Sequence, residues 1–181
     1  MNRILALVGG ISKNSLNKKL FTAVKSQVPT GFEVEAFDIS KLPFFSQDLE
    51  TNLPLPVKEL KNLVSQVAGI LFITPEYNRS FPGVLKNALD WGSRPWGQNS
   101  WDKKPAAVLG ASVGNIGTFG AQHHLRQVLA YLNMPTLGQP EFYLNAAKSF
   151  DDQGNLTDEK TKVFIDGFWK SYAAWVIKQQ V

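Results

Sequence analysis

Apolar residues recur along this chain in two alternating rhythms. Uninterrupted apolar runs at residues 3–8, 69–74 and 105–111 have the length and uniformity of strands covered on both faces. Residues 32–37, Phe-Glu-Val-Glu-Ala-Phe, alternate instead, as a strand nearer a sheet edge does. A weaker strand signal lies at 141–144. Between these runs the spacing changes to three and four. Leu16, Leu20, Val24 and Val28 form one stripe, and Val57, Leu60, Val64 and Val67 a second. Ala121, Leu125, Val128, Leu129 and Leu132 form a third, and Ile165, Phe168, Trp169, Tyr172 and Val176 a fourth.

Strands alternating with helices of this length predict an α/β, doubly wound parallel sheet with right-handed crossovers and helices on both faces. Five strands suit the flavodoxin-like order 2-1-3-4-5. No repeat, low-complexity stretch or linker divides the chain, so residues 1–181 read as one domain. Residues 40–56 and 92–104 lack periodicity. The second stretch carries Trp96 and Trp101, which suit either a surface loop or local packing.

Composition narrows the chemistry. Hydrophobic residues make up 44% and charged residues 19%, as in ordinary globular proteins, and no apolar run is long enough to span a membrane. The apolar start ends in Gly9-Gly10 rather than a cleavage site, so a cytoplasmic location is the expectation. The absence of cysteine removes disulfides, thiol nucleophiles, iron–sulfur ligation and thiolate zinc sites. His123 and His124 are adjacent, so a helix points them apart and they make a poor chelating pair. Redox chemistry would then require a bound organic cofactor. The +4 net charge is scattered, which argues against nucleic acid as a partner and weakly favours anionic dinucleotides.

In the order 2-1-3-4-5 the first, third and fourth strands are adjacent. The segments leaving them, residues 9–17, 75–80 and 111–120, are also rich in glycine, serine and asparagine. Ligands of open α/β sheets bind outside the carboxyl ends of strands at the switch point, so these segments should build one site. The first has the composition of a phosphate cradle, with Gly9 and Gly10 for close approach, Ser12, Ser15 and Asn17 as donors, and a helix starting near Ser15. It lacks the Gly-Lys-Ser/Thr of a P-loop and the Gly-x-Gly-x-x-Gly of a dinucleotide fingerprint. A capped helix start would leave the same residues. The second begins at Thr74, where Pro75 ends the strand, and enters a helix through Pro82 with Ser80 as a candidate cap. On that helix Val84, Leu85, Ala88 and Leu89 should be buried, with Lys86, Asn87 and Asp90 opposite.

Residues 74–91, Thr-Pro-Glu-Tyr-Asn-Arg-Ser-Phe-Pro-Gly-Val-Leu-Lys-Asn-Ala-Leu-Asp-Trp, resemble the signature of the NADPH-dependent FMN reductase family, which includes quinone and chromate reductases. The resemblance runs from Ile4 to at least Pro140. It implies that Pro75, Glu76, Tyr77 and Asn78 line the flavin ring. It also implies that Ser112 and Gly114, in an Ala-Ser-x-Gly-x-x-Gly segment, flank the ring's polar edge. The family's phosphate motif, Gly-Ser-x-Arg-x-x-Ser-x-Asn, is matched at Ser15 and Asn17, while Gly10 stands for its serine and Ser12 for its arginine. Losing that arginine removes a forked contact ordinarily worth ~1.5–3 kcal/mol and implies weaker retention of FMN. Lys13 next door offers a point charge without the fork.

The activity implied is hydride transfer from NADPH or NADH to FMN and onward to an acceptor, quinones first, by a ping-pong scheme with no protein nucleophile or base. A homodimer or homotetramer is implied as well, with Arg126 at a subunit contact. A flavodoxin-type electron carrier and a non-catalytic domain of the same fold remain as alternatives.

Overall fold

A computed structural model describes residues 1–180. Its sheet contains β1 (Asn2–Val8), β2 (Phe32–Phe37), β3 (Gly69–Ile73), β4 (Ala106–Ser112) and β5 (Phe142–Asn145), all parallel, in the order β2-β1-β3-β4-β5. This is the expected flavodoxin-like topology. β1, β3 and β4 are buried almost throughout, and the outer strand β2 keeps its alternation, with Phe32 and Val34 inside and Glu33 and Glu35 outside. β4 starts one residue later than its apolar run because Pro105 has no N–H for the ladder, although its carbonyl still accepts from Ile70 N at 2.8 Å.

The helices α1 (Leu16–Ser26), α2 (Leu55–Gln66), α3 (Gly83–Gly92), α4 (Phe119–Tyr131) and α5 (Glu159–Lys178) cover both faces. Leu20 and Val24 of α1 pack with Ile165, Phe168 and Trp169 of α5 on one side. Val57, Leu60, Leu85, Ala88, Leu125 and Leu129 from α2, α3 and α4 pack on the other. Burial of this kind stabilises by about 25 cal/mol per Å2 removed from water. Tyr172 is fully buried and donates to Ile70 O at 2.8 Å, which ties α5 to the centre of the sheet.

Two short 3-10 turns, Ile39–Lys41 and Gln47–Asn52, lie at the start of and within the aperiodic stretch 40–56. The tryptophans of residues 92–104 divide: Trp96 is exposed, whereas Trp101 is fully buried. The Trp101 indole packs against Gly92, where any Cβ would collide with it, and its Nε1 donates to Leu89 O at 2.9 Å. Asn87 is a correction to the expected polar face of α3. It is buried, with Oδ1 accepting from Phe45 N at 2.8 Å and Nδ2 donating to Pro43 O at 2.9 Å, so it holds the preceding loop to the helix. Lys86 and Asp90 stay at the surface and pair with each other at 2.7 Å. Among the described residues no helix is long and apolar enough to cross a membrane.

Candidate functional site

The loops after β1, β3 and β4 meet at the carboxyl end of the sheet, where contacts between neighbouring strands and loops fix their approach. Gly9 N donates to Ile73 O at 2.8 Å, and Thr74 N donates to Leu109 O at 2.9 Å. A Cβ at Gly9 would lie 3.3 Å from both Pro75 and Pro82, so the first and second loops pack closely there. Asn17 joins the first to the third. It is buried, its Nδ2 donates to Ala111 O at 2.9 Å, and its Oδ1 accepts from Ala111 N at 2.9 Å. Its amide is thereby engaged with β4.

Ser15 caps α1, with Oγ accepting from Asn17 N at 3.2 Å and Lys18 N at 3.4 Å. The hydroxyl proton remains available for donation. Gly10 lies beneath that hydroxyl, and any Cβ there would fall on Ser15 Oγ. The family's serine therefore has no room at this position while Ser15 holds its cap. Lys18 Nζ donates to Ile11 O at 2.9 Å and draws the loop back over the helix start. The N–H groups of Ile11, Ser12, Lys13 and Asn14 have no hydrogen-bond partner among the described residues. Successive free N–H groups beside a helix N-terminus make an anion-binding concavity.

In the second loop, Tyr77 and Ser80 exchange backbone hydrogen bonds at 2.9 and 3.0 Å around Asn78 and Arg79, whose φ values are 50° and 66°. Positive φ at both central residues is the geometry of a type I′ turn. Asn adopts it readily, whereas Arg79 does so at some cost in backbone strain. The turn is anchored on α4. Glu76 Oε2 accepts from Ala121 N at 3.1 Å, in the first turn of that helix, and Oε1 accepts from Arg79 Nη1 at 3.0 Å. A carboxylate there also complements the helix dipole. Ser80 is not the cap of α3, a place Pro82 takes without a side-chain bond; its Oγ instead lies 2.8 Å from His124 Nδ1. Tyr77 is 55% exposed, and the Asn78 side chain makes no hydrogen bond among the described residues.

In the third loop, Ser112 Oγ donates to Gly117 O at 2.6 Å and accepts from Gly114 N at 3.1 Å, fixing the bend. Gly117 has φ 61°, and a Cβ there would come within 2.8 Å of Tyr143 backbone, so this position requires glycine. A Cβ at Gly114 would meet only Ser112 Oγ, at 3.6 Å. Beyond this loop Tyr143 Oη lies 3.1 Å from His123 Nε2. Burial, then the Glu141 carboxylate, pushes the Tyr143 phenol well above its ordinary value and keeps it neutral.

The ten predicted residues therefore fall into three structural groups at the carboxyl end of the sheet. Ser12, Ser15, Tyr77 and Asn78 present polar groups or a ring; Gly10, Gly114 and buried Pro75 shape the walls; Asn17, Glu76 and Ser112 hold the loops in place. Sequence reasoning missed the apolar rim. Ile11 on the first loop, Val113 and Ile116 on the third, and Phe119 at the start of α4 are all about half exposed or more. Their signal was available: they are large apolar residues in polar, glycine-rich loops, outside any helical or strand period. Arg126 is half-buried and donates from Nη1 to Leu137 O at 2.8 Å.

Comparison with known proteins places the chain in a family. The chain is 46% identical over 180 residues to a 2-hydroxy-1,4-benzoquinone reductase of Burkholderia sp, covering 99% of this chain and 98% of the relative. It is 42% identical to a quinone reductase of Pseudomonas putida, covering 96% and 94%. Among solved structures it superposes on FerB, a flavoenzyme NAD(P)H:(acceptor) oxidoreductase from Paracoccus denitrificans, with TM-score 0.93, 39% identity and 99% coverage of each chain. The family model described as NADPH-dependent FMN reductase matches residues 2–149. With that match and these identities, the chain belongs to the NADPH-dependent FMN reductase family.

Proposed function

We propose that this chain is an FMN-dependent NAD(P)H oxidoreductase that delivers electrons to quinones in a ping-pong cycle. The observation that carries the reading is the meeting of three loops at the carboxyl end of the sheet, with unpartnered N–H groups at residues 11–14 of the first and exposed rings and apolar side chains beside them. The anionic phosphate of FMN suits the free N–H groups, and its flat ring suits exposed Tyr77 and the apolar side chains of the loops, so the residues present fit it. The names of the quinone-reducing relatives support the acceptor class.

Bound FMN supplies hydride acceptance and release, chemistry that no side chain here provides. The first loop would hold its phosphate through the free N–H groups and the Ser12 and Ser15 hydroxyls, with Lys13 adding charge. Pro75, Tyr77 and Asn78 would border the ring, and the amides around Ser112 and Gly114 would face its polar edge. Asn17 and Glu76 act by positioning, since their own polar atoms are bonded to Ala111, Ala121 and Arg79. Ile11, Val113, Ile116 and Phe119 would exclude water and offer apolar contact to a flat acceptor. The reading includes a cytoplasmic homodimer or homotetramer, with Arg126 near a subunit contact.

The test is anaerobic. Protein loaded with FMN is mixed with NADPH or NADH while the flavin's visible absorbance is followed, and a benzoquinone is then added. Bleaching by the nucleotide alone, and recovery with the quinone, is expected. Bound flavin that neither nucleotide bleaches would make the chain an electron carrier, and failure to bind FMN would leave a non-catalytic domain.

A further inference from the structure

The loop that carries the free N–H groups has an outer side as well. There, between the start of α1 and the turn at residues 151–155, runs a groove of about 450 Å3. One wall carries Lys13, Lys18, Lys19 and Thr22, and the other carries Asp152 and Asn155. None of the three lysines forms an ion pair among the described residues, and only Lys18 has a hydrogen bond from its ammonium. Like charges packed within seven positions repel one another, and an anion placed between them relieves that repulsion.

The far wall is a built structure. Asp151 Oδ1 accepts from Asn155 N at 2.7 Å and Oδ2 from Asn155 Nδ2 at 2.9 Å, while Asp151 N donates to Asn155 O at 3.0 Å. Phe150 and Leu156 pair behind this turn. At its tip Gly154 has φ 89° and lies against the Lys19 stem, where an added Cβ would be 3.4–3.6 Å from Cγ, Cδ and Cε. The Lys19 stem thus runs beside the turn, and no acid pairs with its ammonium among the described residues. The match to the family model ends at residue 149, so the wall lies outside what that model describes.

We propose that this groove receives the 2′-phosphate of the adenosine half of NADPH and thereby sets a preference for NADPH over NADH. The proposal rests on reading the chain as an NAD(P)H oxidoreductase and names the group that discriminates between its two reductants. Ser15 belongs to both sides, capping α1 beneath the free N–H groups and lining the groove. Two residues on, Asn17 bonds directly to Ala111 at the end of β4, so the groove adjoins the loops where a dinucleotide would lie. A 2′-phosphate adds about two negative charges beside Lys18 and Lys19, with Lys13 left to the flavin phosphate, whereas the 2′-hydroxyl of NADH adds none. Asp152 is the opposing charge and limits the affinity.

Calorimetric titration of the full chain with adenosine 2′,5′-bisphosphate and with adenosine 5′-monophosphate tests this without turnover. The bisphosphate is expected to bind about tenfold more tightly, with the advantage shrinking as salt is raised. Lys19→Gln should cut that advantage about three- to fivefold, and Asp152→Asn should increase it by a similar factor. In turnover, Lys19→Gln should lower kcat/KM for NADPH and leave that for NADH unchanged. Equal binding of the two nucleotides, or a bisphosphate affinity that neither substitution moves, overturns the proposal. FMN titration of the same samples separates the two readings. Nucleotide discrimination without FMN binding sustains the groove and refutes the flavin reading, whereas FMN binding without discrimination refutes the groove alone.

Discussion

Asn17 and Ala111 are 94 positions apart and are joined by two hydrogen bonds of 2.9 Å, one in each direction. A side-chain amide here substitutes for a strand, pairing with the backbone at the end of β4 as a neighbouring strand would. The loops after β1 and β4 are thereby held at a fixed separation. Replacing Asn17 with Ala leaves the Ala111 N–H and carbonyl buried without partners, at a cost of about 2 kcal/mol. For a chain of this size that lowers Tm by about 4–8 °C. Calorimetry reads the shift, and FMN affinity should fall with it.

Gly10 accommodates the Ser15 hydroxyl. In Gly10→Ser the new Cβ displaces Ser15 Oγ and breaks its bonds to Asn17 N and Lys18 N. Loss of such a cap costs about 1 kcal/mol. Restoring the family's serine at this position should therefore destabilise this chain, as measured by urea unfolding.

Ser12 occupies the place of the family's arginine. Ser12→Arg should tighten FMN binding about tenfold, the equivalent of about 1.4 kcal/mol from one charge-assisted phosphate contact. Fluorescence quenching of FMN measures it. An unchanged Kd would remove residue 12 from the phosphate site.

Glu76 couples the turn at residues 77–80 to α4 through Ala121 N. In Glu76→Ala the Ala121 amide should exchange with solvent faster, and stability should drop by about 1 kcal/mol. Glu76→Gln should restore most of the protection, because the amide oxygen still accepts. An amide at Ala121 that exchanges unchanged in Glu76→Ala would contradict this coupling.

Asp158 caps α5, and the Thr161 hydroxyl followed by the Thr161 N–H holds its carboxyl below the ordinary 3.8. A folded-state pKa below the unfolded one stabilises above the unfolded value, and the effect is lost as pH falls through the folded value. Asp158→Ser keeps an oxygen cap without a charge, so the variant should lose less Tm than the wild type between pH 6 and about pH 2.5.

The sheet was legible from the apolar runs because strands covered on both faces leave no other pattern, and the loops after β1, β3 and β4 followed from strand order alone. What was not legible depends on contacts distant in sequence. Asn87 sits among surface-type neighbours on α3, and nothing local says that its amide faces Pro43 and Phe45. Trp101 falls in a stretch without periodicity, and its burial depends on the missing side chain at Gly92. Within the site, sequence identified the polar residues but not their division of labour. Whether an amide such as Asn17 meets a ligand or a backbone is decided by the end of β4.

The placement of FMN across the three loops is tested most directly by amide chemical shifts recorded during titration with FMN. Shifts concentrated in residues 9–15, 75–80 and 112–117, with the free amides of residues 11–14 moving most, are the predicted result. Saturable FMN binding with shifts confined elsewhere, or none in residues 11–14, would contradict it.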